Sequence, residues 1–206
     1  MSHLSAEMRQ RADALIALYP EARSAIIPLC HLAQEQDGYL SEPAMIEIAG
    51  LVGVTAAEVR GTASFYDMLH LEPVGTYLVG VCTNIACLLA GGLELLEHAE
   101  RELGINTGAT TADGVFTLEE TECLADCDIA PCVQVNHRYV RTTTPSALDQ
   151  LFDDLRHGRR SDEIPSHGTL IRMQRTVGLA ADPTEVKAER QQVRAEVAAR
   201  ASEAGA

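Results

Sequence analysis

The chain has 206 residues, of which 46% are hydrophobic and 22% are charged, as is usual for a globular protein of one or two domains. The formal net charge of −14 argues against nucleic acid as a partner, because phosphate binding needs clustered Lys and Arg. No stretch approaches the roughly 18 apolar residues of a membrane span, and the polar N-terminus does not resemble a signal peptide. We therefore expect a cytoplasmic protein whose six cysteines are thiols or metal ligands rather than disulfides.

Residues 1–70 predict a bundle of short helices. Apolar residues recur at three- and four-residue spacings over 12–18 and again over 24–34. A third helix is expected over 44–51, with Ser41 as a candidate N-cap. A fourth is expected to start after Thr55, because Thr55 and Glu58 have the spacing of a capping box.

Residues 71–158 predict a second domain in which strands and helices alternate. Apolar or alternating runs predict strands at 76–81, 115–119, 133–136 and 139–140, and helices are expected at 93–103 and 145–156. The resulting β-α-β-β-α order is compatible with a thioredoxin-like domain, and also with other α/β folds.

Residues 159–206 predict an extended C-terminal tail. From residue 160 onward, seven basic residues balance seven acidic ones, so residues 1–159 carry the whole net charge. A charged helix is expected over 185–201, where Val186, Val193 and Val197 are the only large apolar residues. Because so few apolar residues cannot build a core, we expect the tail to lie on a partner or in solvent.

Five of the six cysteines form two groups, each placed after a predicted strand. Cys82 and Cys87 are separated by four residues, and Cys123 and Cys127 by three, with Cys132 following. Thiolates are ligands for zinc, Cu(I) and iron–sulfur clusters. Zinc usually takes closely spaced pairs, whereas a [2Fe–2S] cluster needs a pair of thiolates on each of two irons. The spacing favours an iron–sulfur cluster and leaves zinc open.

Roles that do not involve a metal suit these cysteines less well. A purely apolar role fits Cys30, which lies in an apolar helical stretch, but it does not fit a segment that also holds Asp126 and Asp128. No Cys-x-x-Cys is present for a redox dithiol, and no glycine-rich motif predicts a flavin or nicotinamide site. Cys132 opens a predicted strand, which would have to bend back to reach a cluster, so its position favours the loop residue Cys127 as a ligand instead.

The motif around these cysteines resembles that of the E-type subunit of NADH:quinone oxidoreductase, complex I. The resemblance covers residues from about 15 to 157, and its most specific part is the cysteine motif. It rests on Cys82-x-x-x-x-Cys87, the run Glu122-Cys-Leu-Ala-Asp-Cys-Asp-Ile-Ala-Pro131, Val135-Asn136, Tyr19-Pro20, Leu32-Ala33-Gln34, Gly38-Tyr39-Leu40, Val59 and Phe65-Tyr66. The chain departs from the family where small residues usually separate the second pair, since Asp126 places an extra carboxylate there.

This resemblance implies an α/β protein with a thioredoxin-like [2Fe-2S] ferredoxin domain, preceded by an N-terminal helical bundle and followed by an extended C-terminal tail. It implies that Cys82, Cys87, Cys123 and Cys127 bind a [2Fe-2S] cluster and that Cys132 does not. The extra carboxylate of Asp126 then bears on the reduction potential of the cluster and not on its existence.

The implied function is one-electron transfer within an oxidoreductase, with no complete active site on this chain alone. The cluster would lie next to the FMN of an NADH-binding partner subunit, among other complex I peripheral-arm subunits, at the inner face of the cell membrane. A diaphorase module of a soluble NAD-linked hydrogenase or formate dehydrogenase is the nearest alternative. A zinc-stapled interaction module is the alternative from another class.

Overall fold

The structure, a computed structural model, describes residues 3–167 and Ala188. The predicted helix over 185–201 and most of the predicted tail lie outside the described residues. Residues 3–167 divide into two compact units, with the boundary between Leu71 and Glu72. Within the part of the chain that is described, no helix is long and apolar enough to cross a membrane.

The first unit is helical, as the sequence predicts. It contains α1 (Ala6–Ile16), α2 (Ile26–Asp37), α3 (Glu42–Val52) and α4 (Ala56–Ala63), with a 3-10 turn at Ala22–Ala25 before α2. The apolar faces of these helices form one core, in which the largest fully buried side chains are Leu29, Leu32, Leu40, Ile48 and Val59.

Side-chain caps define where these helices begin. The Ser41 hydroxyl accepts the Ala44 N–H, and Thr55 and Glu58 form the predicted capping box, with Thr55 N donating to the Glu58 carboxylate at 2.9 Å. The first helix starts earlier than the apolar spacing indicates, because Ser5 accepts the Met8 N–H at 3.2 Å. Helix starts predicted from capping residues were therefore more accurate than those predicted from the spacing of apolar residues.

The second unit contains a four-stranded mixed sheet. Its strands are β1 (Tyr77–Cys82), β2 (Phe116–Thr121), β3 (Val133–Val135) and β4 (Arg138–Val140), in the order β2-β1-β3-β4. β1 is parallel to β2 and antiparallel to β3, and β3 forms the predicted hairpin with β4. β1 has a neighbouring strand on both sides, and all six of its residues are buried.

Three helices complete this unit: α5 (Ile85–Leu89), α6 (Gly92–Leu103) and α7 (Pro145–Arg156). α6 and α7 match the predicted helices closely and pack against each other, with His98 Nε2 2.6 Å from Asp149 Oδ1. α5 was not predicted, because five residues are too few to show a helical period. The unit continues past α7, since Ile164 is buried in its core and His167 N donates to Thr76 O at 2.8 Å.

Candidate metal centre

The parallel pairing of β1 and β2 brings the two cysteine groups to one edge of the sheet. Cys82, the last residue of β1, is in register with Thr121, the last residue of β2. Cys123 follows Thr121 by two residues, and Cys127 lies close enough to Cys82, Cys87 and Cys123 to interact with them electrostatically. The four cysteines predicted as ligands are therefore brought together by the fold.

Cys82 and Cys87 form an inner pair whose side chains are buried. Cys87 lies in α5, which starts after the N-cap Asn84, and not in a loop as expected from the sequence. The backbone N–H groups of Asn84 and Leu124 lie near the Cys82 sulfur and favour its ionised form. The Cys87 sulfur accepts the backbone N–H of Cys132 at an N–S distance of 3.4 Å. These donors stabilise negative charge on sulfur, which suits thiolate ligands.

The first turn of α6 packs directly on the backbone that carries the inner pair. A Cβ atom at Gly92 would lie 2.6 Å from the Cys82 carbonyl oxygen and 2.8 Å from that of Cys87. Only glycine allows this approach, and Gly91 before it has a positive φ of 92°. Gly92 was not among the predicted site residues, although two adjacent glycines just after a cysteine pair, where a helix begins, are a signal of close backbone contact.

Cys123 and Cys127 form an outer pair that is exposed. They lie in the loop between β2 and β3, where Ala125 adopts a left-handed conformation with φ 61° and Cys127 begins a 3-10 turn, Cys127–Ile129. Leu124 anchors this loop, because its side chain packs beside the buried cysteines and its carbonyl oxygen accepts the Tyr139 hydroxyl. The outer pair therefore lies on an exposed loop that is fastened to the sheet on either side of Ala125, at Leu124 and, through the Cys132 sulfur, at Asp126.

Cys132 lies much nearer to the site than its place in the sequence indicates. The antiparallel register pairs Val81 with Val133, so Cys132 comes opposite Cys82, and Cys82 N donates to the Cys132 carbonyl oxygen at 3.0 Å. Its side chain is buried in one cluster with Cys82 and Cys87. No bend of the strand is needed, because strand pairing itself brings this residue to the site.

Burial and hydrogen bonding give these thiols different acidities. Burial raises the pKa of Cys82, and it raises the pKa of Cys132 to about 12. Burial also opposes ionisation of Cys87, but hydrogen bonds from the backbone and side chain of Cys132 outweigh it and lower the pKa of Cys87. Partial desolvation and the neighbouring cysteines raise the pKa of Cys127. Cys30, buried in the helical unit as predicted, has its pKa raised to about 12 by burial.

The residues present fit an iron–sulfur cluster. Four soft sulfur donors stand as two pairs, backbone N–H groups point at the inner sulfurs, and Leu124 and Ala130 supply apolar surroundings. In residues 3–167 and Ala188, no three His, Cys, Asp or Glu side chains are grouped so as to hold a single metal ion.

Comparison with known proteins identifies the family. The sequence profile of the thioredoxin-like [2Fe-2S] ferredoxins matches residues 12–156. The chain belongs to this family. The predicted resemblance and the predicted α/β, thioredoxin-like fold are thereby confirmed. The match includes most of the helical unit as well as the unit that carries the cysteines, so this ferredoxin family has both parts.

Relatives of this ferredoxin carry the names of complex I subunits. The NADH-quinone oxidoreductase E-type subunit 2 of Rhizobium meliloti is 40% identical over 157 residues, which are 76% of this chain and 94% of the relative. NADH-quinone oxidoreductase subunit 2 of Thermus thermophilus is 41% identical over 155 residues, 74% of this chain and 86% of the relative. The E-type subunit of the Mycobacterium tuberculosis enzyme is 43% identical over 151 residues, and the match spans 73% of this chain and 60% of that relative's length.

A solved structure shares the fold of this ferredoxin. A chain of the NAD+-reducing [NiFe]-hydrogenase in the air-oxidized state superposes with a TM-score of 0.60 over 68% of this chain and 24% of that chain. The sequences are 23% identical over the superposed part, so the similarity is one of fold.

Proposed function

We propose that this chain is the one-electron carrier of a NADH:quinone oxidoreductase and that it holds a [2Fe-2S] cluster on Cys82, Cys87, Cys123 and Cys127. The observation that carries the proposal is the meeting of two cysteine pairs at the ends of parallel strands β1 and β2 in a member of a [2Fe-2S] ferredoxin family. The relatives named as complex I subunits at about 40% identity favour the quinone-linked enzyme.

Each part of the site has a distinct role in this proposal. When bound, the cluster supplies one-electron redox chemistry. Cys82 and Cys87 hold its inner side in buried surroundings, where N–H donors from Asn84, Leu124 and Cys132 stabilise charge on sulfur. Cys123 and Cys127 hold its outer side at the surface, where electrons can enter and leave. The protein thus shields one half of the site from water and leaves the other half accessible.

The proposed partner is the subunit that binds NADH and FMN. A hydride carries two electrons, so a flavin must divide them before a one-electron cluster can take one. The exposed face of α5 supports a partner at this place, because Ile85 is 73% exposed and Leu89 is 84% exposed beside the ligand Cys87. Covering this apolar face would place the partner's flavin next to the cluster. Through the complex, the chain would lie at the inner face of the cell membrane.

Purification under anaerobic conditions tests the cofactor. We expect a red-brown protein with about two iron and two sulfide ions per chain, and a paramagnetic signal from the cluster after one-electron reduction. A double variant, Cys82→Ser with Cys123→Ser, is the control and should be colourless. A colourless wild-type protein with bound zinc would replace this proposal with the zinc-stapled module.

Co-purification from the organism of origin tests the partner. We expect a tagged chain to retain an FMN-containing, NADH-oxidising subunit together with quinone-reducing activity. The variant Ile85→Glu with Leu89→Glu should weaken this association and leave the cluster spectrum unchanged, since both side chains point to solvent. Recovery of hydrogenase or formate dehydrogenase subunits in place of quinone reductase would assign the chain to a soluble diaphorase module.

The C-terminal residues are proposed to lie on a partner subunit as well. Ile164 and His167 contribute to the second unit, so a truncation that tests the tail must end after His167. We expect this truncation to keep the cluster spectrum and to weaken assembly of the complex. Aggregation of the truncated chain by itself would instead assign the tail to the core of this protein.

A further inference from the structure

Cys132 makes hydrogen bonds to the inner cysteine pair and to the loop that carries the outer pair. Its backbone N–H donates to the Cys87 sulfur at 3.4 Å, and its own sulfur lies 2.8 Å from the carbonyl oxygen of Asp126. Asp126 directly precedes Cys127 in the exposed loop. Strand pairing holds Cys132 in place, because its carbonyl oxygen accepts the N–H of Cys82. One buried residue therefore joins the buried inner pair to the loop of the outer pair.

We propose that Cys132 is a positioning residue: its thiol holds the loop of Cys123 and Cys127 against the sheet and tunes the reduction potential of the cluster, without binding iron. This inference rests on the proposed function. It assigns a role to the fifth cysteine of the site, which the sequence motif does not include among the ligands.

The contact with Asp126 acts on the geometry of the outer pair. The Asp126 carbonyl oxygen accepts the Ile129 N–H at 3.1 Å, which closes the 3-10 turn at Cys127, and the Cys132 thiol joins that turn to the start of β3. Leu124 and Ala130 pack against the buried cluster that contains Cys132, and a hydrogen bond in such apolar surroundings is stronger than one in water. Without the thiol, the turn that carries Cys127 loses its direct hydrogen bond to the residue at the start of β3.

The contact with Cys87 acts on the potential. The Cys132 thiol is buried beside Cys87 as well, so its single S–H lies within reach of two acceptors, the Asp126 carbonyl oxygen and the Cys87 sulfur. A donor to a thiolate ligand stabilises the reduced cluster more than the oxidised one, because reduction adds negative charge. Removing the thiol while leaving the backbone N–H should therefore lower the reduction potential.

Three variants of the full chain, loaded with iron and sulfide under anaerobic conditions, test the proposal. Cys132→Ala removes the donor, Cys132→Ser keeps a hydroxyl donor at the same place, and Cys30→Ala is the matched control at a cysteine buried in the helical unit. The measurements are the rate at which a chelator removes the iron and the midpoint potential from a redox titration followed by EPR.

We expect Cys132→Ala to lose its cluster about tenfold faster, which corresponds to about 1.4 kcal/mol, and to have a lower midpoint potential. Cys132→Ser should recover most of both effects, and Cys30→Ala should behave as the wild type. Wild-type behaviour of Cys132→Ala in both measurements would overturn the proposal. Faster loss with an unchanged potential and no recovery by Ser would also overturn it, because packing alone would then explain the result.

Two further outcomes separate this inference from the proposed function. Complete absence of a cluster in both Cys132 variants would overturn the positioning role and the proposed ligand set, because Cys132 would then act as a ligand, while the proposed electron-transfer function would stand. Failure of the wild-type chain to take up iron would refute the proposed function, and the inference would fall with it.

Discussion

The inner and outer cysteine pairs differ in how the protein holds them. Cys82 and Cys87 lie at the end of the central strand and in a helix, buried and supplied with N–H donors. Cys123 and Cys127 lie in an exposed loop that contains a left-handed residue and one turn of 3-10 helix. The inner pair is thus part of the folded core, whereas the outer pair is a surface loop fastened to that core.

This difference indicates which properties each pair controls. A change at the inner pair alters packed backbone and should affect both folding and cofactor binding. A change at the outer pair alters exposed sulfur or charge and should affect the cofactor with little effect on folding. Three substitution experiments can break or sharpen this comparison.

The largest expected effect is the loss of iron from ligand variants. Replacing any one of Cys82, Cys87, Cys123 and Cys127 by Ser should remove most of the iron, because each iron needs its pair of thiolates. In the apo chain, Cys82→Ser should also lower the free energy of unfolding by about 1 kcal/mol, the cost of a polar group in a buried site, whereas Cys127→Ser should not. Iron analysis and urea unfolding measure the two effects.

Cys30→Ser and Cys132→Ser are the controls for this experiment and should retain about two irons per chain. Loss of iron in Cys132→Ser together with full retention in Cys127→Ser would reverse the ligand assignment. Equal destabilisation by Cys82→Ser and Cys127→Ser would remove the distinction between the two pairs.

A smaller effect is expected at Gly92, beneath the inner pair. A methyl group there would meet two carbonyl oxygens at 2.6 and 2.8 Å, so Gly92→Ala should cost about 1–3 kcal/mol of stability, as overpacking does. The backbone of Cys82 and Cys87 should shift, and iron content should fall with it. Urea unfolding of the apo chain and iron analysis of the loaded chain measure these changes.

Gly61→Ala is the matched control, since Gly61 is an exposed helical glycine with no atom within 4 Å of the place where a methyl group would lie. That change should be neutral or stabilise the protein by up to about 1 kcal/mol through helix propensity. If Gly92→Ala matched this control, the inner pair would not depend on the close approach of α6.

The smallest effect is expected from the charge of Asp126 in the outer loop. Reduction adds an electron to an anionic cluster, and a carboxylate at roughly 8 Å opposes it by about 2 kcal/mol at an effective dielectric of about 20. That energy corresponds to a shift in midpoint potential of about 90 mV for one electron. Screening by solvent and salt should reduce the shift to a few tens of mV. Asp126→Asn should therefore raise the midpoint potential, and the shift should shrink at high salt.

Glu102→Gln is a suitable control for this charge, because Glu102 is exposed near the far end of α6, about 15 Å along the helix from Gly92. A redox titration at matched ionic strength should show a shift for Asp126→Asn only. No shift, or a downward one, would mean that the Asp126 carboxylate does not act on the cluster.

The sequence by itself determined most of the elements of this protein and the family to which it belongs. Caps such as Thr55 with Glu58 and apolar runs such as that of β1 specify local structure, because they depend on neighbours a few residues away. The two cysteine pairs and their surrounding motif indicated the family, since thiolate spacing reflects the ligand needs of a cluster.

Only the tertiary structure decided how the cysteines are held. The register of β1 with β3 brings Cys132 beside Cys82, although fifty residues of sequence separate them. The approach of α6 to the Cys82 and Cys87 backbone makes Gly92 necessary. The helix α5 is too short to be predicted from the sequence. These features arise from contacts between distant segments, which no local pattern of residues contains.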